Sequence, residues 1–160
     1  MDGRLGDRRL DENGATLTSA LTAVDTALAT GDVPAALRAW HELYGTSLGS
    51  RRWEGFAEAG DAYLRIARAL GSPAQGIART RELYLSALVR ASGAGSLDGV
   101  LRVASAFVEL GDDEVVTHSL RIARRLAGFS PAPELRDLLA ALETRMLPSA
   151  SSAPAAQGHY

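Results

Sequence analysis

Histidine is the side chain best suited to moving protons or holding a metal near neutral pH, and this chain of 160 residues has three: His41, His118 and His159. His41 and His118 lie far apart, each beside its segment's apolar stripe and not on it. There is no His-Glu-x-x-His spacing and no Cys, so a zinc site would need carboxylates gathered by the fold. All three read as surface histidines, and no metal is expected. Serines fall mostly at segment starts and in the C-terminal tail. Without strands there is no sheet top on which a nucleophile elbow could stand. All 17 basic residues are Arg, which removes a lysine Schiff base and a phosphate-loop lysine. The expectation is a protein with no catalytic residues and no cofactor, and so not an enzyme.

Two further patterns bear on anions. The run Gly93-Ala94-Gly95-Ser96-Leu97-Asp98-Gly99 opens onto a helical segment, whose free N–H groups could hold an anion. A nucleotide fingerprint requires a strand before such a loop, and here a helical segment precedes it, so it reads as a connector. Arginines cluster as Arg51-Arg52, Arg65 with Arg68, and Arg121 with Arg124-Arg125. Aromatic residues make up only 6% of the chain, and net charge is −2. Base stacking and a global attraction to phosphate are both unsupported, so neither nucleic acid nor an anionic membrane is expected as a partner.

The most informative polar pattern is one stripe of charge: Glu54, Glu58, Asp61, Arg65 and Arg68. Acids stand in its first half and arginines in its last, as a helix dipole favours, and Asp61 to Arg65 is an i,i+4 step. Opposite it run Trp53, Phe56, Tyr63 and Leu64.

The elements that must position these residues are helices throughout. Apolar residues recur in steps of three and four over seven segments, about 16–30, 34–48, 52–70, 73–91, 97–110, 114–127 and 132–147. Ser72 with Pro73 and Gln75 spells an N-cap, a first-turn proline and a capping-box partner. Ser130 before Pro131 and Ser96 before Leu97 are further caps, and Asp112, Asp113 and Glu114 put negative charge at a helix start. Gly49, Gly71, Gly93, Gly111 and Gly128 fall where helices should end. Residues 1–14 read as a polar, disordered N-terminal arm, and 148–160 as a disordered tail with little to bury. No run of about 18 apolar residues is present and the start of the chain lacks a signal peptide's apolar stretch, so a cytoplasmic protein is expected.

Gly31, Gly71 and Gly111 recur every 40 residues, and the same shift sets Glu42-Leu43-Tyr44 on Glu82-Leu83-Tyr84, Leu37 on Ile77 and Leu70 on Leu110. The domain at 15–147 therefore reads as tandem antiparallel hairpins, about 16–48, 52–91 and 97–127, closed by a capping helix at 132–147. The hairpins resemble the tetratricopeptide repeat. Gly31-Asp32 is followed by Ala36 and Trp40 at the family's turn spacing, and Gly111-Asp112 keeps that spacing through Val116, Leu120 and Ala123. The family's period is 34, and HEAT-type hairpins come nearer to 40.

The resemblance implies an all-α fold stacked as a short right-handed solenoid, whose first helices line a groove for a partner's peptide or helix. It puts Asp25, Arg65 and Ser105 at equivalent groove positions, with Glu58, Asp61, Arg68, Leu101 and Val108 nearby. The function expected is a protein–protein adaptor, with a homodimer as a way of extending a shallow groove. The alternative is an accessory or regulatory subunit of an enzyme complex.

Overall fold

A computed structural model describes residues 3–128 and 133–147, with side chains from Glu12 onward. It contains seven helices and, among the described residues, no strand. They are α1 (Gly3–Ala29), α2 (Val33–Ser50), α3 (Trp53–Ala69), α4 (Pro73–Gly93), α5 (Leu97–Leu110), α6 (Asp113–Ala127) and α7 (Pro133–Met146). None is long and apolar enough to cross a membrane. The tail at 148–160 and the cap at Ser130-Pro131 lie outside the described residues.

Three turns repeat one chemistry. Gly31, Gly71 and Gly111 are left-handed, with φ of 73°, 69° and 73°, a conformation cheap only without a Cβ. After each, a backbone N–H reaches back into the helix just ended: Asp32 to the Ala27 carbonyl, Ser72 to Ala67 and Asp112 to Phe107. Asp32 and Asp112 then cap the next helix, accepting from the N–H of Ala35 at 2.9 Å and of Val115 at 3.3 Å. Ser96 caps α5 in the same way through Gly99.

The capping box expected at Ser72 does not form. Ser72 occupies the cap position and Pro73 begins the helix, as expected, but the Ser72 hydroxyl accepts no N–H. Gly49 lies inside α2, and the left-handed residue that ends this helix is Arg51, at φ 57°. Residues 3–14, expected as a disordered arm, are the opening turns of α1. That stretch holds no proline, so the backbone continues as helix without an apolar stripe to announce it.

Helices pack in chain order. α1 with α2, α3 with α4 and α5 with α6 form hairpins; α2 lies on α3, α4 on α5 and α6 on α7. The first helices α1, α3, α5 and α7 also touch in succession, forming one layer with α2, α4 and α6 further apart on the other side. The core between the layers holds Val24, Leu43, Ile66, Leu101, Val103, Phe107 and Val116, all essentially without solvent contact. Trp40 is buried in α2, and its indole N–H donates to the Ala59 carbonyl of α3 at 2.8 Å, tying the first hairpin to the second.

Close approach between hairpins is made by small residues. A Cβ at Gly55 would stand 2.8 Å from the Ser47 hydroxyl, and one at Gly99 2.8 Å from the Ala91 methyl and 2.7 Å from the Trp53 ring. Gly99 follows Gly55 by 44 residues, as Ala91 follows Ser47. The turns thus repeat at 40 and the junctions between hairpins at 44.

Candidate functional site

The open face of the first-helix layer carries the charge stripe. On α3, Glu58, Asp61, Arg65 and Arg68 share one side because steps of three and four bring residues to one helical face. Their partners come from the neighbouring first helices. Arg65 donates to Asp25 of α1 at 2.9 Å, Asp61 accepts from Arg102 of α5, and Glu109 of α5 accepts from Arg145 of α7 at 3.2 Å. Each rung joins an acid on one first helix to an arginine on the next, so the layer is cross-linked along its whole length. The first and third rungs are solvent-exposed, which limits each to about 0–1 kcal/mol, whereas both partners of the Asp61–Arg102 rung are partly buried.

Asp61 is the best-anchored member. One carboxylate oxygen accepts from Arg102, the other from the Tyr84 hydroxyl. Tyr84 is buried and lies against Gly60, where a Cβ would come within 2.6 Å of the ring. Gly60 therefore lets the ring through and Tyr84 fixes Asp61 from below. Burial, then the bond to Asp61, pushes the Tyr84 phenol well above its ordinary range, so it remains a donor. Glu58 is half-buried and has no ion pair among the described residues. Burial first, and then Asp61, holds its carboxyl above the usual carboxylate range, against the opposing pull of Arg102 and Arg65.

Asp61, Arg65, Arg68, Tyr84, Arg102, Ser105 and Glu109 line one open depression of about 380 Å³, floored by Leu64 and Ala106. Of the residues expected at the groove, Asp61, Arg65, Arg68 and Ser105 meet there. Asp25 reaches it only through its bond to Arg65, and Glu58 is not among its lining residues. Val108 is half-buried and packs against the core.

Leu101 is a correction: it is fully buried and cannot contact a partner. The 40-residue shift that aligns the glycine turns differs by four residues from the one that aligns the starts of α3 and α5. Four residues turn a helix face by about 40°, enough to swing Leu101 into the core. Arg102 takes the groove position instead. Arg102, Tyr84, Glu109 and Arg145 were not expected here. The 44-residue offset, which sets Arg102 on Glu58 and Glu109 on Arg65, is the signal that finds two of them.

Elsewhere, His41 and His118 are exposed, and no group of three or more His, Asp or Glu suited to a metal occurs among the described residues. Contrary to the expectation that no Gly-x-Ser-x-Gly elbow occurs, the chain spells that pattern at Gly45-Thr46-Ser47-Leu48-Gly49. It runs inside α2, where Ser47 is fully buried and its hydroxyl donates to the Leu43 carbonyl at 2.8 Å. It is no exposed nucleophile; it is the small residue against which Gly55 packs.

Comparison with protein-family models finds no match, and neither the curated proteins nor the solved structures give one.

Proposed function

We propose that this protein is a helical-repeat adaptor that holds a partner's peptide or helix on its first-helix layer. The observation that carries the reading is the open depression in which charged side chains of α3 and α5 converge over the apolar Leu64 and Ala106. A rim of oriented charge around a small apolar floor suits an amphipathic segment lying across the helices. The tetratricopeptide-like spacing of Gly31-Asp32, Ala36 and Trp40 supports the same use of the first helices. A second reading, an accessory subunit of a larger complex, draws on exposed Leu48, Ile77 and Val89 of the second helices, apolar surface that an obligate partner would cover.

The test is selection from a displayed library of helical peptides, on the native chain and on Arg65→Glu/Arg68→Glu. Both positions are exposed, so the variant should keep its helical signal and lose the selected peptides by tenfold or more. Equal retention by a folded variant refutes the assignment to this face. Peptides that compete instead with a Val89→Glu variant for the second-helix side would favour the accessory-subunit reading.

A further inference from the structure

Charge is unevenly presented in the depression between α3 and α5. Its lining holds three arginines, Arg65, Arg68 and Arg102, against two acids, Asp61 and Glu109, which leaves +1. Both acids are already held by neighbours. Asp61 keeps 24% of its side-chain surface, compared with 42% for Arg65 and 39% for Arg102. One of its oxygens accepts from Arg102 and the other from the Tyr84 hydroxyl. Glu109 accepts from Arg145 of α7, the helix that packs on α5 across from α3. What the depression offers an incoming group is therefore mainly guanidinium.

Hydrogen-bond capacity points the same way. A guanidinium carries five N–H donors in a planar fork, so the three arginines bring about fifteen. Arg65 gives one to Asp25 and Arg102 gives one to Asp61. Asp25, Asp61 and Glu109, the carboxylates on these rungs, have about twelve lone pairs between them, and Tyr84 and Arg145 draw on those as well. Donors outnumber the rung acceptors whichever rotamers the arginines take. Ser105 adds no donor, because its hydroxyl proton goes to the Leu101 carbonyl at 3.0 Å. The group that completes such a lining is an anion with more than one acceptor oxygen, and a carboxylate matches the guanidinium fork two bonds at a time.

We infer that the partner segment is acidic: an Asp or Glu side chain docks against Arg65, Arg68 and Arg102, and an apolar residue three or four positions away covers Leu64 and Ala106. This rests on the adaptor reading and adds the chemistry of the partner to it. The spacing is that of a helical segment, in which residues three and four apart share a face. Docking uses N–H groups that Asp25 and Asp61 leave over, so the rungs stay in place and the depression needs no rearrangement to be filled.

The library selection, run on the full chain at about 150 mM salt to screen diffuse attraction, tests the inference directly. Retained peptides should be rich in Asp and Glu set three or four positions from Leu, Ile or Val. Changing that acid to its amide in a retained peptide should weaken binding about tenfold, and so should Arg68→Gln. Arg38→Gln, an equal change of charge on exposed surface of α2, should cost less than twofold. Arg65→Glu/Arg68→Glu should do more than lose these peptides: selected afresh, it should retain peptides with Lys or Arg in place of the acid, an exchange that damage to the fold would not produce. Peptides lost on that variant but rich in Lys and Arg on the native chain, or indifferent to the change from acid to amide, overturn the inference and leave the adaptor standing. Equal weakening by Arg68→Gln and Arg38→Gln also overturns it, since only net charge would then matter. Peptides that ignore the face variant, or no retained peptides, overturn both.

Discussion

Between hairpins, the interior and the open face are joined in different ways. Inside, Gly55 rests on Ser47 and Gly99 on Ala91 and Trp53, so that helices approach to backbone distance, while Trp40 fills the first junction and hydrogen-bonds across it. On the open face, three acid–arginine rungs cross between first helices in contact with water. Dispersion and burial act at the junctions and cannot be screened; Coulomb attraction acts at the rungs and can. The lesson is that cohesion lies inside, which leaves the face free to carry charges suited to recognition.

The largest expected effect is at the interior. Trp40→Ala removes a buried indole and its bond to Ala59, and should destabilise by about 4 kcal/mol, measured by urea unfolding. A loss under about 1 kcal/mol would mean that the first junction is not the clamp described here. Gly99→Ala comes next. Overpacking against Trp53 and Ala91 costs about 2–3 kcal/mol, and alanine regains roughly 1 kcal/mol in helix preference, leaving a net loss of about 1–2 kcal/mol. If the variant is instead stabilised, the close approach is slack and the contrast weakens. Smallest is Asp25→Asn, which breaks one rung: the loss should be under about 0.5 kcal/mol and disappear in 1 M salt. A loss that survives high salt would move the rungs into the same class as the junctions.

Reading residues in order recovers what a single helix determines. Of the expected stripe Glu54, Glu58, Asp61, Arg65 and Arg68, the last three line one depression, because their spacing alone sets a common helical face. The all-helical fold and the hairpins were legible for the same reason, since each buried stripe repeats with the helix. What lay between helices was not. Leu101 was expected at the groove and is buried, because the rotation of α5 against α3 depends on where each helix starts, and the glycine turns report only where each ends. Tyr84 enters the sequence reading only as part of the repeat match with Tyr44; it is buried, and its hydroxyl reaches Asp61 on the face beside Gly60.

The junctions carry a consequence for the growth of the molecule. Because Ser47 with Gly55 and Ala91 with Gly99 are the same contact made twice, another hairpin could be duplicated between α4 and α5 without inventing a new kind of interface. Hairpin number would then be open to change by descent while the ends stay as they are, and the reach of the molecule along a bound chain would lengthen by one unit at a time.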